Sequence, residues 1–428
     1  MSNARCAWST RVVATTILLT AAACDPAEIH TLHTLDTDST GVPVVTAVAP
    51  LWQPGNAWTV DAEPLVEIGT VSGALEYQFG DVAAAVRLSN GDIVVADRGA
   101  SELRSYDAAG RFQWRAGRFG QGPGEFESLD FLGTIAGDSL VTYDEWLLRV
   151  QLFDPDGRMA RSFDLRPQRF DSDRAESMSS PEDVSVPDKA VGIVGRQLIV
   201  RFFEVGDRRT SGVVRQGDDR VVAVALGDGS AAGLIVVGGE ESLLRGGRSQ
   251  GLYAFGNMPE FGAAADRVAV IDTEAYVVRV LSPADATIER IVRRDVEPRE
   301  TTDALFEEHL AGILDLIGSV PPEEVDRVER MWRGYPRAPV LPVLRAVHVD
   351  TTGHLWLQPY YVAGAQPPPF EIHAPDGTWL GSVSVPPGRR RAFIQYQAPY
   401  MEIGEDYILG VWTDELDVQY VRMYRINK

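Results

Sequence analysis

The chain has 428 residues, a formal charge of −21 and 45% hydrophobic residues. That balance can fill a large apolar core. It excludes a nucleic-acid binder, because phosphate recognition needs clustered Lys and Arg and only Arg389-Arg390-Arg391 forms such a run. The only cysteines are Cys6 and Cys24, which excludes an internal disulfide framework and a thiolate metal site.

Residues 1–23 read as an export signal, with Arg5 and Arg11 ahead of an apolar run from Val12 to Ala23. The run is too short for a permanent membrane-spanning helix. Ala21-Ala22-Ala23 before Cys24 resembles a bacterial lipobox, which would make Cys24 the lipidation site and tether the chain on the periplasmic side of the cell envelope. Ala21-x-Ala23 also fits ordinary signal cleavage, so both readings stand. Residues 24–60 show little periodicity and read as a flexible tether.

From residue 61 onward a polar turn followed by an apolar run recurs. The runs begin at Ile93, Leu140, Leu198, Val268, Leu355 and Ile408. Turn sequences such as Asp154-Pro155-Asp156-Gly157 and Pro375-Asp376-Gly377 follow them. Their spacing starts near the about 40–50 residues of a four-stranded propeller blade and lengthens where insertions occur. One such hairpin cannot bury its apolar face alone, so the units must stack. The expectation is an all-β, six-bladed β-propeller with four-stranded antiparallel blades. The C-terminal unit lacks an outer strand, and the segment Leu65–Thr70 is predicted to supply it and close the ring.

Arg166–Lys189 is polar and reads as a long loop, and Gly227–Arg248 leaves room for another strand in the third unit. Between the fourth and fifth units the period changes. Leu305, Phe306, Leu310, Ile313, Leu314 and Ile317 fall at helical spacing after Thr302, a predicted N-cap. Val325, Val328, Met331 and Trp332 predict a second helix, making residues 301–335 a helical insertion. Its apolar stripe either packs down on the ring or forms a partner-binding groove.

Gly91-Asp92-Ile93-Val94-Val95-Ala96-Asp97, with Arg104-Ser105-Tyr106-Asp107 and Gly110-Arg111, resembles the NHL-type repeat of six-bladed propellers. Gly120-Gln121-Gly122-Pro123-Gly124-Glu125-Phe126 and Gly410-Val411-Trp412-Thr413-Asp414-Glu415-Leu416-Asp417 resemble a group of exported bacterial propeller lipoproteins. The resemblance implies the fold and an extracytoplasmic address, and lends no catalytic residue.

In that topology, crossings between blades and turns between second and third strands share one face. The insertions at Gly117–Phe126, Arg166–Lys189 and Thr301–Trp332 all belong to it. An acidic set sits after the second strands: Asp97, Asp144, Glu145, Glu204, Asp272, Glu274, Asp414 and Glu415. These carboxylates could hold a hard cation such as calcium or attract a cationic ligand. The competing reading has each one accept hydrogen bonds from its own turn. Arg345, His348 and Trp332 are further ligand-binding candidates. Two functions follow. The first is a monomeric, tethered binding or scaffold module for protein, peptide or glycan. The second is a calcium-type metal-dependent hydrolase or lyase using the acidic rim.

Overall fold

The computed structural model describes residues 33–38, 40–53, 55–167, 185–204, 212–215, 218–245, 248–317, 321–388 and 401–428. The export signal, Cys24 and Arg389-Arg390-Arg391 lie outside the described residues.

The described chain is mostly antiparallel sheet, arranged as a propeller, with two helices. The first blade pairs Val82–Arg87, Ile93–Asp97, Glu102–Tyr106 and Phe112–Ala116 in sequence order, and the second pairs Leu129–Ile135, Ser139–Asp144, Arg149–Phe153 and Met159–Asp164. A third discrete blade holds Leu344–Val349, Leu355–Pro359, Phe370–His373 and Trp379–Val383. Every residue of Ile93–Asp97 is buried. Such a strand has a blade packed on each face, so its sequence reads as a continuous apolar run rather than an alternation.

The C-terminal blade joins Met401–Ile403, Tyr407–Thr413 and Gln419–Asn427. Its outer position is taken by Val66–Ile68, antiparallel to the last strand with Ile68 opposite Val421 and Val66 opposite Met423. The closing strand predicted at Leu65–Thr70 is therefore present, and Ile68 is only 1% exposed.

Six separate blades were expected, and four are discrete. Eight of the strands between the second blade and the helices belong to one ten-stranded sheet. Within it, Ser185–Val194, Gln197–Glu204, Asp218–Ala225 and Ala231–Gly238 meet Pro259–Ala264, Arg267–Asp272, Val277–Ser282 and Thr287–Arg293 through one parallel pair, Gly192 with Ala263. Gly192 lies against the Ala263 backbone so closely that a Cβ there would sit 2.0 Å from its carbonyl oxygen. That approach lets two inner strands pair instead of merely packing. Lys189, expected at the end of a loop, lies inside the strand Ser185–Val194. The extra strand foreseen in Gly227–Arg248 is Ala231–Gly238. A further three-stranded sheet, Gly212–Arg215 with Glu241–Arg245 and Arg248–Leu252, was not foreseen.

The predicted flexible tether over 24–60 is different from His33 onward. Its hairpin His33–Thr37 with Pro43–Ala47 adds to the ten-stranded sheet, Pro43–Ala47 running parallel to Thr287–Arg293. The chain next donates from Leu51 and Trp52 to the carbonyls of Trp379 and Leu380, at 2.9 and 2.7 Å. Trp52 stacks near Trp58 at 5.1 Å, and Thr59–Val60 pairs with the C-terminal strand. Low periodicity hid this strap because an edge segment needs only backbone partners and an occasional anchor such as Trp52.

The helices are α1 (Asp303–Leu316) and α2 (Pro322–Arg333). Thr302 caps α1 as predicted, accepting the Leu305 N–H at 3.2 Å. Phe306, Leu310, Val328 and Trp332 form a core with Ala254, Phe255, Leu341 and Val362, so the apolar stripe packs down on the ring.

Replacing Ile68 with Ala is expected to destabilise the protein by about 2–5 kcal/mol in urea denaturation. Leu35→Ala, on the exposed outer hairpin, should change stability by less than about 0.5 kcal/mol. Equal effects would mean that the closing strand does not secure the ring.

Candidate functional site

The strand order fixes which residues share a face. First and third strands run one way and second and fourth the other. Second-to-third turns therefore lie on the same side as the crossings between blades, here called the crossing face.

Asp97 and Asp144 end second strands on that face, and both accept several backbone N–H groups. Asp97 accepts from the N–H groups of Gly80, Asp81 and Ala100 at 3.1–3.3 Å and pairs with Arg104 at 3.3 Å. Asp144 accepts from Glu127, Ser128, Trp146 and Leu147 at 2.7–3.1 Å. Each carboxylate ties the incoming crossing to its own turn. Asp414 accepts from Leu416 and Val418 within its turn and from the Tyr420 hydroxyl. Asp272 accepts the Glu274 N–H at 3.4 Å. Glu274 and Glu415 are exposed, and Glu204 ends its strand with its side chain outside the described residues. The acidic set is distributed one turn at a time. Among the described residues no three Asp, Glu, His or Cys side chains converge as a metal donor set.

The other candidates separate. Trp332, predicted as a ligand platform, is 4% exposed and packs against His309 and Tyr335. It belongs to the core beneath the helices. His348 lies edge-on to Phe370 at 5.9 Å. Arg345 stacks over Tyr361 at 4.9 Å, and its charge acts on the buried Glu260.

A second charged group, mostly unforeseen, gathers where the first strands begin. Arg98 bridges Asp81 at 2.8 Å and Asp130 at 2.6 Å, linking the first two blades. Arg201 pairs with Asp219 at 2.8 Å and Asp188 at 3.4 Å. Asp130 also accepts the Glu145 N–H at 3.3 Å. Burial, then Asp130 and Asp188, pushes the Glu145 carboxyl up to about 7, against the pull of Arg98 and Lys189. Burial raises Asp219 to about 6 despite Arg201, and it raises Glu240 and Glu260 as well. The Tyr143 hydroxyl is buried without a hydrogen-bond partner among the described residues. Glu145, Asp188, Asp130 and Asp144 are the charges acting on it, and burial and those carboxylates hold its proton on.

Carboxyls raised by burial and by like charge, on a face with long insertions, mark a candidate binding or proton-handling site. Of these residues the sequence singled out only Asp144 and Glu145. Spacing offers no link between Arg98 and Asp130, or Tyr143 and Asp188, because ring packing alone makes them neighbours.

Asp144→Ala is expected to destabilise the fold by about 3 kcal/mol or more, since it orphans four N–H donors. Calcium at about millimolar concentration should leave the parent's thermal midpoint unmoved, and a rise would return these carboxylates to cation binding. For Glu145 the sign is opposite to that of a salt-bridged acid. The unfolded group ionises near about 4.3 and the folded one near about 7, so stability falls as pH rises between those values. Glu145→Gln should therefore raise the thermal midpoint at pH 8 and leave it nearly unchanged near pH 4, as read by scanning calorimetry.

No family model matches the chain, and no curated protein matches it. Solved structures do. An exported-protein candidate from Bacteroides fragilis aligns with a TM-score of 0.45 and 12% identity over 89% of this chain and 99% of that one. A member of the DUF4221 family from Bacteroides vulgatus gives 0.49 and 10%, over 87% and 99%. Virginiamycin B lyase from Staphylococcus aureus gives 0.37 and 9%, over 87% and 100%. With these scores all below 0.5, the propeller assignment rests on the chain's own sheets and the site on its own residues.

Proposed function

We propose that this chain is an exported, envelope-tethered propeller of the NHL-like lipoprotein type. Its crossing face would bind a protein, peptide or glycan. Six blades are supported by an unbroken circuit of inner-strand contacts. Val82–Arg87 touches Leu129–Ile135, which touches Ser185–Val194. Pro259–Ala264, Leu344–Val349 and Met401–Ile403 follow, and the last touches Val82–Arg87 again. On this count the ten-stranded sheet contributes two blades and the outer hairpin. Attachment through Cys24 is supported by the lipobox-like Ala21-Ala22-Ala23-Cys24. Among the described residues no helix is long and apolar enough to cross a membrane.

One observation carries the binding role. On the crossing face Trp146 is 72% exposed and Phe119 is 69% exposed, whereas Trp356, Trp412, Phe126 and Phe153 are fully buried. Leu75 and Leu416, in a crossing and a second-to-third turn of the same face, are similarly exposed. Large apolar side chains held in water on rigid turns are typical of recognition surfaces, where aromatic residues are enriched.

Affinity capture from detergent-solubilised envelopes tests this. The parent should retain a partner that the Trp146→Ala/Phe119→Ala double variant loses by about tenfold or more, the loss of a single buried aromatic anchor. Equal recovery by both proteins would overturn the role of this face.

A further inference from the structure

A gap on the crossing face, where the turn carrying Glu145 meets the first strands Leu129–Ile135 and Ser185–Val194, holds charges that are incompletely paired. Asp130 and Asp188 approach it from two first strands, and Arg98 and Arg201 already neutralise part of their charge at 2.6 and 3.4 Å. The Glu145 carboxylate has no ion pair or hydrogen bond among the described residues, and only its backbone N–H is engaged, by Asp130. Tyr143, 0% exposed, has a hydroxyl with no hydrogen-bond partner among the described residues, and the charges of the same carboxylates act on it. A buried hydroxyl without a partner weakens the fold, and the crowding of Glu145 by Asp130 and Asp188 adds to that. The fold therefore retains a local arrangement that weakens it, a pattern expected where binding is selected over stability.

A cationic donor relieves both defects at once. An ammonium group has three N–H donors and no acceptor, which matches the Tyr143 oxygen together with the Glu145 and Asp188 carboxylates. Trp146 follows Glu145 directly and stands in solvent, so an occupant with an apolar body and a cationic tip meets both features. The chain's charge of −21 favours the approach of a basic partner.

We propose that this gap receives a Lys or Arg side chain from a basic peptide segment of the partner, with Trp146 covering its apolar stem. The inference rests on the reading of the crossing face as the binding face. The groups facing Glu145 are Asp130 and Asp188 with Arg98 and Lys189, and Tyr143 and Asp144 from its own strand. The Glu145 carboxyl, raised to about 7, gains its charge between pH 6 and 8, so binding strengthens across that interval.

The test is fluorescence anisotropy with labelled hexalysine, at constant ionic strength, on the parent, Glu145→Gln, Tyr143→Phe and Asp156→Asn. Asp156 lies in a third-to-fourth turn on the opposite face, so its variant removes the same charge without touching the gap. Expected is tighter binding at pH 8 than at pH 6 for the parent. Glu145→Gln should lose about tenfold in affinity, the scale of one charge-assisted hydrogen bond, along with the pH dependence. Tyr143→Phe should bind more weakly than the parent, and Asp156→Asn should bind as the parent does. Equal losses in Glu145→Gln and Asp156→Asn, or no binding at pH 8, would overturn the proposal. Spermidine competing as well as unlabelled hexalysine would overturn the peptide in favour of a small polyamine. If hexalysine fails while the Trp146→Ala/Phe119→Ala variant still loses its envelope partner, the binding face stands and the cationic occupant falls.

Discussion

An antiparallel sheet with both faces apolar is stable only if something dry lies on each side. Here that something is another sheet of the same kind. Ile93, Val94, Val95 and Ala96 are all fully buried, as are Leu198, Ile199 and Val200 in a corresponding strand. The clusters that hold them alternate with the sheets around the ring, each core built from facing residues of two neighbours. Stacking of this sort closes on itself or leaves two faces wet. Closure brings the first strands to the axis and sends every long crossing to one end. The position of the charged group follows from that packing and not from any local motif.

The same constraint accounts for what was legible. Runs such as Leu140–Val141 and Val268–Ile271 announced second strands because burial on both faces forbids polar residues there. Asp-x-x-Gly turns announced hairpins because Asp accepts from the backbone two residues on, as Asp107 does from Ala109 at 2.9 Å. Thr302 was readable as a cap for an equivalent local reason. The strap over His33–Val60 was not readable, because its stability comes from edge carbonyls on distant strands and from contacts such as Trp52 against Gly381. A Cβ on Gly381 would come within 2.5 Å of the Trp52 ring, a dependence that no spacing reveals.

The candidate site divides along the same line. The acids at the ends of second strands were visible as a recurring position, and two of them, Asp97 and Asp144, each bind an incoming crossing to a turn. The residues that remain electrostatically unsettled, Glu145 and Tyr143, sit at recurring positions in surroundings that do not recur. They differ from their counterparts because the neighbouring blade brings Asp188 toward them. Repetition in a propeller marks what every blade must do, and departures from it mark where one blade does something else.

The strap also decides how the ring would bear load. A pull on His33 acts first on the bonds between His33–Thr37 and Pro43–Ala47, then on the parallel pairing of Pro43–Ala47 with Thr287–Arg293. Tension next reaches Leu51 and Trp52 on Trp379 and Leu380, then Thr59–Val60 on the last strand. Only after these have yielded does it arrive at Val66–Ile68, the strand that shuts the circle. The segment wound along the rim is thus a series of sacrificial fastenings, and a tug from that end is dissipated before the seam can open.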